Sequence, residues 1–126
     1  MKVEDASVLI VDDYQALIGE LSTMLAQLGF KKIDSADDGN KAIKMLLRQN
    51  YDLIISDWNM EPITGLELLR AVRSKKNLAK IPFLMITTQS HAETISAAKE
   101  AGANGCLVKP FDARSLHTKV IDVILG

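Results

Sequence analysis

Apolar residues along the chain fall into two alternating patterns, a short continuous run followed by a spaced one. Ser7 to Val11 is a nearly unbroken apolar run, which predicts a strand covered on both faces. Tyr14, Leu17, Ile18, Leu21, Met24, Leu25 and Leu28 then recur at helical spacing, and Gly29 supplies a stop. Lys32 to Ala36 reads as a weaker strand. Asp38 to Gln49 reads as a helix with Ala42, Ile43, Leu46 and Leu47 on one face. Asp52 to Ser56 is a third strand, ending at Asp57. Gly65 to Ser74 is a helix, with Leu66, Leu68, Leu69 and Val72 as its apolar members. Pro82 to Thr87 is a fourth strand. Ala92 to Ala101 is a helix stopped by Gly102. Asn104 to Val108 is a fifth strand, and Asp112 to Leu125 a helix capped by Asp112. Five such units with short connections predict a doubly wound α/β fold with a parallel sheet and right-handed crossovers. The units use the whole length, so one domain from 1 to 126 without an output domain is expected.

Composition narrows the function classes. The chain has 126 residues, enough for one domain with an independent core. Its formal net charge is −1, so no global positive field draws it to nucleic acid or to a membrane surface. Cys106 is the one cysteine, so no internal disulfide forms, and a reducing cytoplasm suits the chain. The N-terminal MKVEDASVLIVDD is a poor signal peptide, and no apolar run approaches the ~20 residues that span a bilayer.

The polar residues at the strand ends carry the chemistry. In open parallel sheets, ligands bind beyond the carboxyl ends of the strands. The first strand runs into Asp12 and Asp13, and the third into Asp57. The fourth ends at Thr87 and Thr88, and the fifth at Lys109 and Pro110. A sheet of order 2-1-3-4-5 gathers these groups at one rim. Adjacent carboxylates repel, and burying them is costly without a partner. Hard oxygen donors with no histidine or cysteine among them favour Mg²⁺ over zinc.

The constellation Asp12-Asp13, Asp57, Thr87 and Lys109-Pro110 closely resembles that of response-regulator receiver domains. The match is to the CheY-like single-domain type, for which the flavodoxin-like 2-1-3-4-5 order is the known arrangement. VLIVDD, SDWNM, GLELLRAVR and AGANGCLVKPF all resemble receiver sequence, and the likeness covers essentially the whole chain. The DWNMEPITG variant is similar to one met in alphaproteobacterial single-domain regulators. The resemblance implies that Asp57 accepts a phosphoryl group from a histidine kinase, a histidine phosphotransfer protein or a small acyl phosphate. It implies Mg²⁺ on Asp12, Asp13, Asp57 and the backbone carbonyl of Asn59. It assigns Lys109 and Thr87 to the phosphoryl oxygens and makes the bond before Pro110 cis. It also implies a downstream protein target, as in chemotaxis.

Plainer readings stand beside these. Asp12 alone could cap the following helix, Thr87 alone suits a strand, and Lys109 alone could be solvated. His91 and His117 fall on expected helix surfaces. Met24, Met45 and Met85 read as core filler. Trp58 reads as a partly exposed neighbour of the pocket. Arg73-Ser74-Lys75-Lys76 reads as a solvated helix end that complements the helix dipole.

The sequence also departs from the receiver pattern. Pro62 stands one place late in the loop after Asp57, so the loop should keep its length and change its path. Cys106 occupies a position where CheY-like proteins usually carry an aromatic residue. A thiol cannot fill or vacate an aromatic-sized pocket, which shifts output toward the loop Thr88-Gln89-Ser90-His91. Asn59 and Gln89 flank the path of attacking water in receivers. Thr88, bulkier than the usual small residue, narrows that path and predicts dephosphorylation no faster than is typical.

Three functions follow as expectations. The first is a phosphorylation-switched regulator that docks a partner over roughly Gln89 to Lys119. The second is a phosphorelay intermediate or phosphate sink without such output. The third is a Mg²⁺-dependent phosphohydrolase. Such an enzyme uses a second aspartate two residues after the nucleophile, where this chain has Asn59, so turnover of external esters should be negligible.

Overall fold

The computed structural model describes residues 2–125. A 3-10 turn, Val3–Asp5, precedes five strands and five helices in alternation. The strands are β1 Ser7–Val11, β2 Lys32–Ala36, β3 Leu53–Asp57, β4 Phe83–Thr87 and β5 Gly105–Val108. The helices are α1 Gln15–Gln27, α2 Gly39–Arg48, α3 Gly65–Ser74, α4 Ala92–Ala101 and α5 Ala113–Leu125. The sheet order is β2-β1-β3-β4-β5, and every neighbouring pair is parallel. This is the doubly wound α/β fold expected from the alternating pattern, in the flavodoxin-like order that the receiver resemblance implies.

Burial follows from position in the sheet. All five residues of β3 and all five of β4 are buried, since these strands have neighbours on both edges and helices on both faces. β2 lies at an edge and buries only Ala36, with Lys32, Asp34 and Ser35 exposed. The pleat divides β1 between two cores. Val8 and Ile10 pack with Leu21 and Leu25 of α1 and Leu116 and Val120 of α5. Leu9 and Val11 pack with Leu46 of α2 and with Leu68, Leu69 and Val72 of α3.

Local chemistry sets the helix ends. Asp38 caps α2 by accepting from the Lys41 backbone N–H at 2.8 Å. Thr64 and Glu67 form a reciprocal capping box on α3. Asp112 accepts from the Ser115 backbone N–H at 2.8 Å. Gly29 and Gly102 follow α1 and α4 with φ of 106° and 107°, a conformation that favours glycine. Asp38, Gln49 and Asp112 therefore flank their helices instead of starting or ending them. β3 begins one residue later than the apolar run suggests and takes in Asp57, which pairs with Ile86.

Several side chains stand elsewhere than their spacing suggests. Tyr14 precedes α1 in extended backbone and is 65% exposed, so it is not part of the apolar stripe. Leu47 is 59% exposed, because α2 covers the sheet with Ala42 and Leu46. Met85 is fully buried, whereas Met24 and Met45 are half-buried against the two cores. The peptide bonds before Pro62 and Pro110 are both cis.

Arg73 requires the largest correction. It is not a solvated helix end but a bridge between three segments. Its Nε and Nη2 donate to the Gly102 carbonyl at 3.0 and 2.9 Å, and its Nη1 to the Ile81 carbonyl at 2.7 Å. Nη2 also donates to Asn104 Oδ1 at 2.9 Å, and that oxygen accepts from the Phe83 backbone N–H. Burial lowers the guanidinium pKa from its ordinary value. The partners are carbonyls from distant segments, which helical spacing does not register.

Arg73→Met should keep the aliphatic stem and strand these carbonyls. A loss of about 1–3 kcal/mol is expected, measured as a lower urea midpoint at unchanged slope. An unchanged midpoint would show that water replaces the guanidinium without penalty.

Candidate functional site

Four strands deliver their C-terminal residues to one rim, and the ladder extends one residue beyond the strands. The Asp12 N–H donates to the Ala36 carbonyl at 3.1 Å, Trp58 to Ile86 at 2.8 Å, and Lys109 to Thr87 at 2.8 Å. The functional side chains thus leave a backbone fixed by sheet hydrogen bonds. Gly65 supports the floor from behind. A Cβ there would overlap the Asp57 carbonyl oxygen and lie 2.9 Å from Trp58 Cα, so only glycine permits this approach. The Gly65 N–H closes the loop onto the Trp58 carbonyl at 2.8 Å.

Asp12, Asp13 and Asp57 each offer a carboxylate oxygen, and the three atoms lie within 4.8 Å of one another. Asp12 and Asp57 are buried, while Asp13 is exposed. Lys109 Nζ sits 3.0 Å from Asp57 Oδ1 and 4.0 Å from Asp12 Oδ2. Asp12 Oδ1 accepts from the Tyr14 backbone N–H at 2.8 Å, so its local turn-forming role is real but uses one oxygen only. Asp12 Oδ2 is buried without a hydrogen-bond partner. Burial pushes the Asp12 pKa up to about 6, against the lowering effect of the Tyr14 hydrogen bond. The nearby Asp57 carboxylate raises it further, more than Lys109 lowers it.

This donor set fits a hard divalent cation. Three carboxylates face one lysine, and one buried oxygen has no hydrogen-bond partner. Thr87 is buried, and its Oγ1 accepts from the Gln89 backbone N–H at 3.0 Å. Asn59, Thr88 and Gln89 are exposed in the flanking loops. Cys106 is half-buried on β5, and burial pushes its thiol pKa up, away from a reactive thiolate. His91 and His117 are exposed and take no part in the acidic cluster. Trp58 is half-buried against the core beneath the site.

Sequence patterning missed three supporting groups. The Tyr14 N–H fixes one Asp12 oxygen, Ser56 Oγ donates to the Asp57 carbonyl at 3.0 Å, and Gly65 admits the Asp57 backbone. Only the glycine left a trace in the sequence, at the end of DWNMEPITG.

The response regulator receiver domain family matches residues 8–121, and the chain belongs to that family. More particularly it is a CheY-like regulator of two-component signalling, a class of signalling proteins switched at an aspartate and not classical enzymes. The chain is 42% identical over 113 residues to the chemotaxis protein CheY of Pseudomonas aeruginosa, covering 90% of this chain and 91% of that one. The chemotaxis response regulator CheY4 of Vibrio cholerae superimposes with a TM-score of 0.88 at 36% identity, covering 94% of this chain and 98% of that one. The receiver domain of a Pseudomonas aeruginosa sensor histidine kinase, described with magnesium in its active-site cleft, superimposes with a TM-score of 0.86 at 26% identity. That match covers 96% of this chain and 98% of that one. Receiver domains bind Mg²⁺ at such an acidic site. Membership also implies a histidine kinase upstream and a target downstream. Among the described residues no helix is long and apolar enough to cross a membrane.

The raised Asp12 pKa sets a pH dependence. Between its ordinary value near 3.8 and about 6, the folded state holds a proton that the unfolded chain releases. Stability of the metal-free protein therefore falls as pH rises through that window. Asp12→Asn should stabilise the metal-free fold at pH ~7.5 by about 1–3 kcal/mol, with the difference vanishing below pH ~4. Urea unfolding with chelator at both pH values measures this. An equal difference at both would refute the electrostatic origin.

Proposed function

We propose that this chain accepts a phosphoryl group on Asp57 and thereby switches its binding to a protein partner. The observation that carries the reading is the buried Asp12 oxygen without a hydrogen-bond partner, beside Asp57, Asp13 and Lys109. Asp12, Asp13, Asp57 and the Asn59 backbone carbonyl are the residues that would hold Mg²⁺. Bound there, the ion supplies neutralising charge to the transferring group. Asp57 supplies the nucleophile. One of its carboxylate oxygens forms a bond to phosphorus as the bond from phosphorus to the donor breaks, and the donor leaves with that electron pair. Lys109, at 3.0 Å from Asp57 Oδ1 without the phosphoryl group, pairs with a phosphoryl oxygen as a point charge. The buried Thr87 hydroxyl supplies a hydrogen bond to another.

The donor is a phosphohistidine of a histidine kinase or phosphotransfer protein, or a small acyl phosphate. The setting is the cytoplasm, and one receiver domain provides its own output surface over roughly Gln89 to Lys119. Neither nucleic-acid binding nor membrane insertion is part of this role. The exposed Thr88 and Gln89 flank the approach of hydrolytic water and set the phosphoryl lifetime. The half-buried Cys106 favours a second reading, a phosphorelay intermediate or phosphate sink, because it removes the aromatic side chain that commonly reports the switch. Hydrolysis of external esters has no support, since Asn59 is not an acid or base.

Acetyl phosphate with Mg²⁺ should add one phosphoryl group by intact mass to the wild type and none to Asp57→Asn. Chelating the metal should slow the wild-type reaction at least ~100-fold, the scale of a lost electrostatic stabiliser. Labelling that persists in Asp57→Asn would remove the assignment. Partner capture that ignores a beryllium fluoride mimic would favour the relay reading.

A further inference from the structure

We propose that Ile63, seated on Gly39 at the start of α2, is a positioning residue for the Asn59 backbone carbonyl as a Mg²⁺ donor. This rests on the functional reading above and adds what fixes the one donor of that set that is not a side chain.

Hydrogen bonds hold only the ends of the loop between Asp57 and α3. The Trp58 N–H donates to the Ile86 carbonyl, and the Trp58 carbonyl accepts from the Gly65 N–H, both at 2.8 Å. The Thr64 N–H donates to Glu67 Oε1 at 3.0 Å. Among the described residues, no hydrogen bond reaches residues 59–63 between these anchors. Asn59, Glu61 and Pro62 are exposed. Met60 is buried and Ile63 half-buried, and both pack into the core shared with Leu46 of α2 and Leu68 of α3. A stretch without hydrogen bonds is placed by what its side chains bury. The Asn59 carbonyl belongs to the peptide that joins Asn59 to Met60, so its position depends on this packing.

Gly39 shows how closely Ile63 is seated. It is the first residue of α2, it is buried, and its φ is not positive, so its backbone does not call for glycine. Space does. A Cβ on Gly39 would overlap Cγ1 and Cδ1 of Ile63, whereas the next atom, Leu68 Cβ, would lie at 3.8 Å, an ordinary contact. Ile63 therefore fills a notch that only a residue without a side chain leaves open. Asp38 fixes the floor of that notch by capping α2 through the Lys41 N–H at 2.8 Å. On its C-terminal side Ile63 adjoins Thr64, which the capping box holds in place. Freedom gained at Ile63 is thus taken up toward Asn59, where no hydrogen bond resists it.

Mg²⁺ titration of the full chain, followed by Trp58 fluorescence and by calorimetry, tests this at a temperature where every variant is folded. Ile63→Ala should weaken Mg²⁺ binding about tenfold, the lower end of the loss when a group that orients a metal ligand is removed. Ile63→Val, which keeps a Cγ1 against Gly39, should lie close to the wild type. Gly39→Ala should weaken binding while Ile63 is present and change nothing further in the Ile63→Ala background, where the added methyl meets no atom closer than Leu68 Cβ. Val72→Ala, in the same core but outside the loop, should lower the urea midpoint and leave Mg²⁺ affinity at the wild-type value. An equal loss of affinity in Ile63→Ala and Val72→Ala would overturn the positioning role, as would a Gly39→Ala effect that ignores Ile63. Absence of Mg²⁺ binding in the wild type would overturn the functional reading itself, whereas wild-type binding that Ile63→Ala leaves intact overturns only this inference.

Discussion

A buried carboxylate oxygen without a hydrogen bond is the constraint on which this protein is organised. Asp12 lies at the end of an apolar strand, close to two other carboxylates, and one lysine only partly offsets them. Without a cation, such a site costs stability, and the upward displacement of the Asp12 pKa expresses that cost as proton affinity. A divalent ion with phosphate oxygens removes the same cost. The fold therefore stores at this site part of the energy that makes ligand binding favourable.

That cost is tolerable because the surrounding scaffold is rigid. β3 and β4 are buried along their whole length, and the ladder continues past them into the site. Gly65 lets α3 begin directly behind Asp57, and its capping box makes that start well defined. Arg73 ties the other end of α3 to the turns flanking β4 and β5. Asp57, Thr87 and Lys109 consequently stand on backbone held by sheet hydrogen bonds, which limits how far they can move apart to dilute the repulsion.

The opposite quality is found just beyond Thr87. The loop to α4 is exposed, and the helix buries little and has an uncapped start. A rigid charged floor beside a lightly held helix is a suitable arrangement for a switch, since a small change in contacts at the floor can alter the population of the lighter element.

The periodicity of apolar residues by itself determined the element order, the parallel sheet and the identity of the strand-end groups. It did so because strand and helix periods differ, and because a strand buried on both faces must be apolar throughout. It placed Asp57, Thr87 and Lys109 at strand ends from local pattern alone. Tertiary structure decided what those groups meet. The Asp12 oxygen without a hydrogen bond and the 3.0 Å approach of Lys109 depend on segments distant in sequence, and the close fit of Gly65 depends on the loop closing back on Asp57. So does the burial of Arg73, which local pattern assigns to solvent because its carbonyl partners leave no periodic trace. Tyr14 and Leu47 show the same limit from the other side, being apolar at helical spacing yet exposed, Tyr14 because it precedes α1 and Leu47 because α2 covers the sheet with Ala42 and Leu46.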